Sequence, residues 1–146
     1  MIEITATTEI AASAETVWGV LTNLDKFHEW NPFIREAHGT PEVGATVHVR
    51  VRPSLPGVRL AFDAKIEART ENKELRWTGH VLAPWLARGD HSFAIEPVDA
   101  THVRFVQRER FSGLLPWLGA RLLARETQRG FDAMNRALEA RAEQRT

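Results

Sequence analysis

GARLLARETQRGFDAMNRALEARA, running from Gly119 to Ala142, decides the fold. Gly119, Leu123, Thr127, Gly130, Met134 and Leu138 recur at three- and four-residue steps and share one face of a helix, while Arg121, Arg125, Asp132, Arg136 and Glu139 take the other. A helix of about 25 residues therefore closes the chain. Its inner face mixes glycine and threonine with apolar side chains, which suits the wall of a container better than a solid core. Everything from Pro32 to Phe111 reads as consecutive short strands. One long helix across one curved antiparallel sheet, with room between them, is the expected architecture.

The 146 residues fit a single domain, 1–146, large enough for a core and a modest cavity. With 19 basic and 19 acidic side chains the net charge is zero, so no global field favours nucleic acid or an anionic membrane. Binding is expected to be local and driven by shape. The absence of cysteine removes disulfides, thiolate nucleophiles and cysteine metal sites, and fits a reducing compartment. Met1-Ile2-Glu3-Ile4-Thr5 lacks the basic and apolar regions of a leader, and no later apolar run is long enough to span a bilayer. The expected location is the cytoplasm, without membrane insertion.

Along the chain, Ile2, Ile4, Ala6, Thr8 and Ile10 alternate with polar residues, giving a first strand with one wet face. Ser13 is placed to cap a helix that begins at Ala14, carries Val17, Val20, Leu21 and Leu24 at helical spacing, and stops near Asn23 to Asp25. A second helical turn, Lys26 to Trp30, is cut off by Asn31-Pro32. Strands follow at Ile34 to His38, around Val47, Val49 and Val51, and at Leu60, Phe62, Ala64 and Ile66, where the alternation is cleanest. Leu75, Trp77, Gly79 and Val81 form the next strand, a loop around Pro84-Trp85 follows, and then come His91, Phe93 and Ile95. After the Pro97 to Ala100 turn, Val103, Phe105, Gln107 and Glu109 point inward by parity.

These residues resemble the SRPBCC superfamily of START-like, helix-grip proteins, in its polyketide cyclase/dehydrase-like branch. The resemblance covers nearly the whole chain. It is carried by Ala14-Glu15-Thr16-Val17-Trp18, Trp30-Asn31-Pro32-Phe33, His91-Ser92-Phe93 with Glu96-Pro97, and Phe111-Ser112-Gly113-Leu114-Leu115, in that order. It implies an α+β fold: a seven-stranded curved antiparallel sheet wrapped around the long C-terminal helix, with two short helices after the first strand. Ligands of this family sit between sheet and helix. Its members include lipid carriers, hormone receptors, ring cyclases and chaperone activators, so the fold leaves the chemistry open.

Pairing the strands through their turns sets Ile95 against Val103, Phe93 against Phe105 and His91 against Gln107, with Glu109 one step further and Trp77 opposite His91. Ile66, Trp77, His91 and Gln107 then form an inner row. Polar groups on a core face are the anomaly here. His91 is a candidate acid/base or ligand partner, or else a buried histidine satisfied by Gln107 or Glu109. Glu109 either raises the pKa of His91 or sits in solvent at the end of the sheet. His91 and Glu109 are the candidate catalytic pair. The candidate ligand contacts are Phe33, Val49, Phe62, Trp77, His91, Phe93, Phe105 and Gln107, with Leu123, Thr127, Gly130 and Met134 from the helix. Gly119, Thr127 and Gly130 are expected to leave the space.

Trp30 and Phe33 either cap the core or form a lip, with Asn31 at the mouth. Trp85 is free to gate the cavity or to form an oligomer contact, so a homodimer is among the expectations. Trp117 and Leu118 are expected, in that order, to pack on the short helices, line an entrance or touch another subunit. The six histidines show no helical pair, and His48, His80 and His102 face outward, so no metal and no cofactor is expected. Neither a G-x-S-x-G elbow nor a phosphate-binding glycine loop is present. The basic stripe of Arg121, Arg125 and Arg129 has Glu126 and Asp132 beside it and reads as a solvated helix face, not a nucleic-acid surface. The reading is a binder of a small hydrophobic molecule with one polar end. Its rivals are a cyclase or dehydratase using His91, and an interaction module without a ligand.

Overall fold

The computed structural model describes residues 1–81 and 83–145. Its elements in chain order are β1 Ile2–Ile10, α1 Ala14–Thr22, a short 3-10 turn Leu24–Lys26, α2 Phe27–Trp30, β2 Ile34–His38, β3 Thr46–Val51, β4 Leu60–Thr70, β5 Glu74–His80, β6 Arg88–Pro97, β7 Val103–Ser112, α3 Leu114–Leu118 and α4 Ala120–Glu143. The seven strands form one antiparallel sheet in the order β1-β7-β6-β5-β4-β3-β2. It curls around α4 in the helix-grip arrangement, with the short helices after β1. Local signals set the entry to the helices: the Ser13 hydroxyl accepts from Thr16 N at 3.1 Å and caps α1. Asn31 is fully buried, and its Oδ1 accepts from Phe33 N and Ile34 N, which turns the chain into β2. Its role is to fasten that turn.

Strand parity agrees with the sequence, but one register does not. His91 pairs with Glu109, Phe93 with Gln107, Ile95 with Phe105 and Pro97 with Val103, a two-residue slip from the expected pairing of His91 with Gln107. The hairpin closes later than Ile95, because Asp99 Oδ1 accepts from Thr101 N at 2.8 Å and the amides of Val98 and Asp99 reach His102 O. A slip of two keeps every side chain on its face. The other expected pairs, Trp77 with His91 and Ile66 with Trp77, are in place.

α4 lies along β1, tied by Gln128 to Thr5 O, Thr8 to Glu139 and Ala11 N to Glu143. Its buried stripe is wider than the sequence spacing suggested and shifted toward the C-terminus: Glu126, Thr127, Gly130, Phe131, Met134, Asn135, Leu138 and Ala142. Gly119 lies outside the helix and is exposed, and Leu123 is only half-buried. Gly130 does not leave a void. A Cβ there would stand 2.2 Å from Phe33 Cδ1, so the glycine makes room for the Phe33 ring. Gly79 does the same for Phe62.

Candidate functional site

Three strands and the helix bring the polar row together. β6 supplies His91, β7 supplies Gln107 and Glu109, β5 supplies Trp77, and α4 supplies Phe131 and Asn135. Gln107 Nε2 donates to Asn135 Oδ1 at 2.7 Å, which turns its Oε1 toward His91 Nε2 at 2.9 Å. Oε1 can only accept, so the His91 proton sits on Nε2 and Nδ1 carries the lone pair. Nδ1 lies 3.9 Å from Glu109 Oε2. Apolar rings enclose the imidazole: Phe93 stacks on it at 3.9 Å between centroids, Phe131 lies at 4.8 Å and Trp77 meets it edge-on at 5.7 Å.

That enclosure fixes the charge states. Burial lowers the His91 pKa from 6.5 to about 3, against the opposing pull of the Gln107 hydrogen bond. Burial, with the charge of Asp90 adding to it, holds the Glu109 carboxyl well above the usual carboxylate range. Glu109 is not in solvent: only 13 % of its side chain is exposed, and Gly89 clears the space beside its Oε1. The contact between His91 and Glu109 therefore joins two neutral groups, not an ion pair. Two polar atoms in this row have no partner among the described residues, Glu109 Oε2 and Asn135 Nδ2. In chemical terms the row holds a protonated acid, an imidazole lone pair and a free amide N–H in an apolar surround.

Of the candidate contacts, Trp77, His91, Phe93 and Gln107 lie together, with Phe105 stacked beyond Phe93 at 6.4 Å. Val49, Thr127, Gly130 and Met134 are buried, while Phe33, Phe62 and Leu123 are half-buried. Phe33 meets Phe131 edge-on at 5.8 Å, and on its outer side a surface groove of about 530 Å³ runs between Gly130 and Arg35, Arg52 and Arg129. The Phe33 ring thus separates that groove from Phe131 and the His91 row. The sequence reading missed Phe131 and Asn135. The usable signal was an asparagine at position 135 in the middle of a helix, where its propensity is poor unless its side chain is engaged. Trp117 and Leu118 do not pack on the short helices; they are exposed, as is Trp85. Among the described residues no group of three or more His, Asp or Glu is placed to hold a metal ion, and no helix is long and apolar enough to cross a membrane.

The model of the family described as polyketide cyclase / dehydrase and lipid transport matches residues 1–143. The chain belongs to this family. Among solved structures, the chain is similar to the Zhui aromatase/cyclase from Streptomyces sp. R1128, with TM-score 0.81 and 18 % identity over 99 % of this chain and 94 % of that one. It is also similar to a START superfamily protein from Mycobacterium smegmatis, with TM-score 0.79 and 20 % identity over 99 % of both chains. A norcoclaurine synthase point mutant from Thalictrum flavum, in complex with a transition state analogue, matches with TM-score 0.75 and 13 % identity over 99 % of this chain and 95 % of that one. At these identities the likeness is one of fold. No curated protein matches the chain.

Proposed function

We propose that the protein binds a small hydrophobic molecule with one polar end, held between the sheet and α4 with the polar end at the His91 row. The observation that carries this reading is that two of the six buried side-chain atoms without a hydrogen-bond partner among the described residues, Glu109 Oε2 and Asn135 Nδ2, belong to the His91 row. Buried polar groups are nearly always satisfied, and leaving one unmade costs about 1–3 kcal/mol. A carbonyl or hydroxyl oxygen would accept from the protonated Glu109 or from the Asn135 amide, and apolar bulk would lie against Trp77, Phe93 and Phe105. Admission requires the Phe33 and Phe131 rings to rotate, which gives the ligand a route in from the groove beside Gly130. The cytoplasm remains our placement, on the absence of cysteine. Native mass spectrometry of the purified protein, with extraction of any small molecule that accompanies it, tests the reading. Stripped protein should bind an environment-sensitive apolar dye saturably, with a change in tryptophan emission that persists when the exposed Trp85 and Trp117 are replaced and is lost when Trp77 is replaced as well. Protein that carries nothing and takes up no dye refutes it.

A second reading, a cyclase or dehydratase acting on a polyketide-like substrate, is favoured by the neutral Glu109 beside the His91 lone pair. The Glu109 O–H would donate its proton to a substrate carbonyl oxygen while Nδ1 takes a proton from the adjacent carbon, so that an enol forms and one proton is given for each one taken. His91→Gln separates the two. A binder should lose at most about tenfold in affinity, near the value of one hydrogen bond. An enzyme should keep its binding and lose about a hundredfold or more in turnover.

A further inference from the structure

Three connections meet at one end of the sheet, since Val51 pairs with Leu60, His80 with Arg88, and Arg88 with Ser112. They are residues 52–59, residues 81–87, and the stretch from Gly113 through α3 into α4. Backbone bonds lock two of them: Leu114 N donates to Trp85 O at 3.2 Å and Leu115 N to Leu86 O at 2.9 Å. Gly113, at φ 108°, sits so close that a Cβ would be 2.7 Å from Leu86 O. This end carries every exposed large apolar side chain among the described residues except Met1, Val43 and Val98. Trp85 and Trp117 are each 71 % exposed and Leu118 65 %, with Leu114, Leu115 and Leu122 beside them at nearly half. Such a patch, gathered on one end instead of scattered, calls for a covering surface.

Its charge says which. In the sequence, residues 52–60, 81–89 and 113–125 contain Arg52, Arg59, Arg88, Arg121 and Arg125 and no acidic residue, within a chain whose overall net charge is zero. All five arginines are exposed; Arg88 pairs with Asp90 and the charge of Arg125 acts on Glu126, while Arg52, Arg59 and Arg121 have no acidic partner among the described residues. The next acid along α4, Glu126, is turned inward to the amide and hydroxyl of Ser54. We propose that this end seats on an anionic lipid bilayer, with Trp85, Trp117 and the leucines of α3 in the boundary between headgroups and acyl chains and the arginines against lipid phosphates. Tryptophan suits that boundary, and an arginine stem can lie in the apolar layer while its head reaches phosphate. A second copy of the chain is the poorer cover, because a self-complementary contact would set one arginine rim against the other. The contact is peripheral and does not depend on what the interior binds.

Co-flotation with phosphatidylcholine vesicles, with and without phosphatidylglycerol, tests the proposal. Binding is expected only to the anionic vesicles, with a blue shift of tryptophan emission and weakening as salt is added. Trp85→Ala with Trp117→Ala should lower vesicle partition by about tenfold or more, and Arg121→Glu with Arg125→Glu should abolish it. These side chains are exposed, so unchanged thermal unfolding certifies that the variants are folded. The proposal is overturned if the native protein ignores anionic vesicles, or if binding survives both pairs of substitutions. It is equally overturned if sedimentation shows self-association that the tryptophan pair abolishes while vesicles are not bound, since the end would then join two copies.

Discussion

Replacing His91 with glutamine should change how the fold responds to acid, by an amount that the burial of the ring sets. The folded chain holds His91 neutral down to about pH 3, whereas an unfolded chain protonates it near 6.5. Below 6.5 the unfolded state binds a proton that the folded state refuses, so this group lowers stability progressively as the pH falls toward 3 and no further beneath it. Each unit of pH in that window is worth about 1.4 kcal/mol, and by about pH 5 the loss is about 2 kcal/mol relative to neutrality. Glu109 acts in the opposite direction. Its folded pKa is raised, so its contribution is fully present below the unfolded value of 4.5 and is lost as the pH rises toward the folded value. The two trends run in opposite directions in the native protein. The difference between native and His91→Gln protein isolates the histidine. Glutamine can still bond Gln107, so the variant should fold. Urea unfolding followed by circular dichroism at several pH values is the assay. The stability difference between the two proteins should shift in favour of His91→Gln by about 2 kcal/mol on going from about pH 7 to 5. Parallel curves would refute the reasoning, because they would mean that the imidazole titrates as in water or is charged against Glu109.

Glu109→Gln should stabilise the fold relative to native protein by an amount that grows as the pH rises above 4.5, read from the same urea curves; a variant that loses stability at alkaline pH would place a charged carboxylate in the row. Gly130→Ala forces the Phe33 ring to move and should cost about 1–3 kcal/mol. Combined with Phe33→Ala the cost should be clearly less than additive, and strict additivity in a double-mutant cycle would show that the two do not touch. Ser13→Ala removes the cap of α1 and should lower stability by about 1 kcal/mol, with no change in dye binding.

What the sequence could and could not reveal follows from which physical quantity each feature depends on. Parity is local, a matter of period-two alternation within one strand, so the inward placement of His91, Gln107 and Glu109 was legible. Register is not local, because it depends on where a hairpin closes, and here Asp99 and His102 move the closure past Ile95. The slip makes Glu109, not Gln107, the cross-strand partner of His91, so the ring keeps its Gln107 hydrogen bond through Nε2 and also faces a neutral acid at Nδ1. The face of α4 was read from Gly119, which is not in the helix, and a stripe phased from there passes beside Phe131 and Asn135. Phased back from Leu138 through Asn135 and Phe131 to Thr127, the same rule finds them.

The glycines and the arginines teach the same lesson from two sides. A glycine reports that something approaches the backbone, but not what does, so Gly130 fits a ligand cavity and a Phe33 ring equally well until the fold is known. The five arginines of the apolar end are likewise spread over three ordinary segments, and the net charge of zero averages them away. Only strand pairing sets residues 52–60, 81–89 and 113–125 side by side. Electrostatic attraction acts over about a Debye length, roughly 10 Å, so a surface meets the local cluster and not the sum over the chain. Composition therefore excludes a uniform field here, and it leaves open a polarised one.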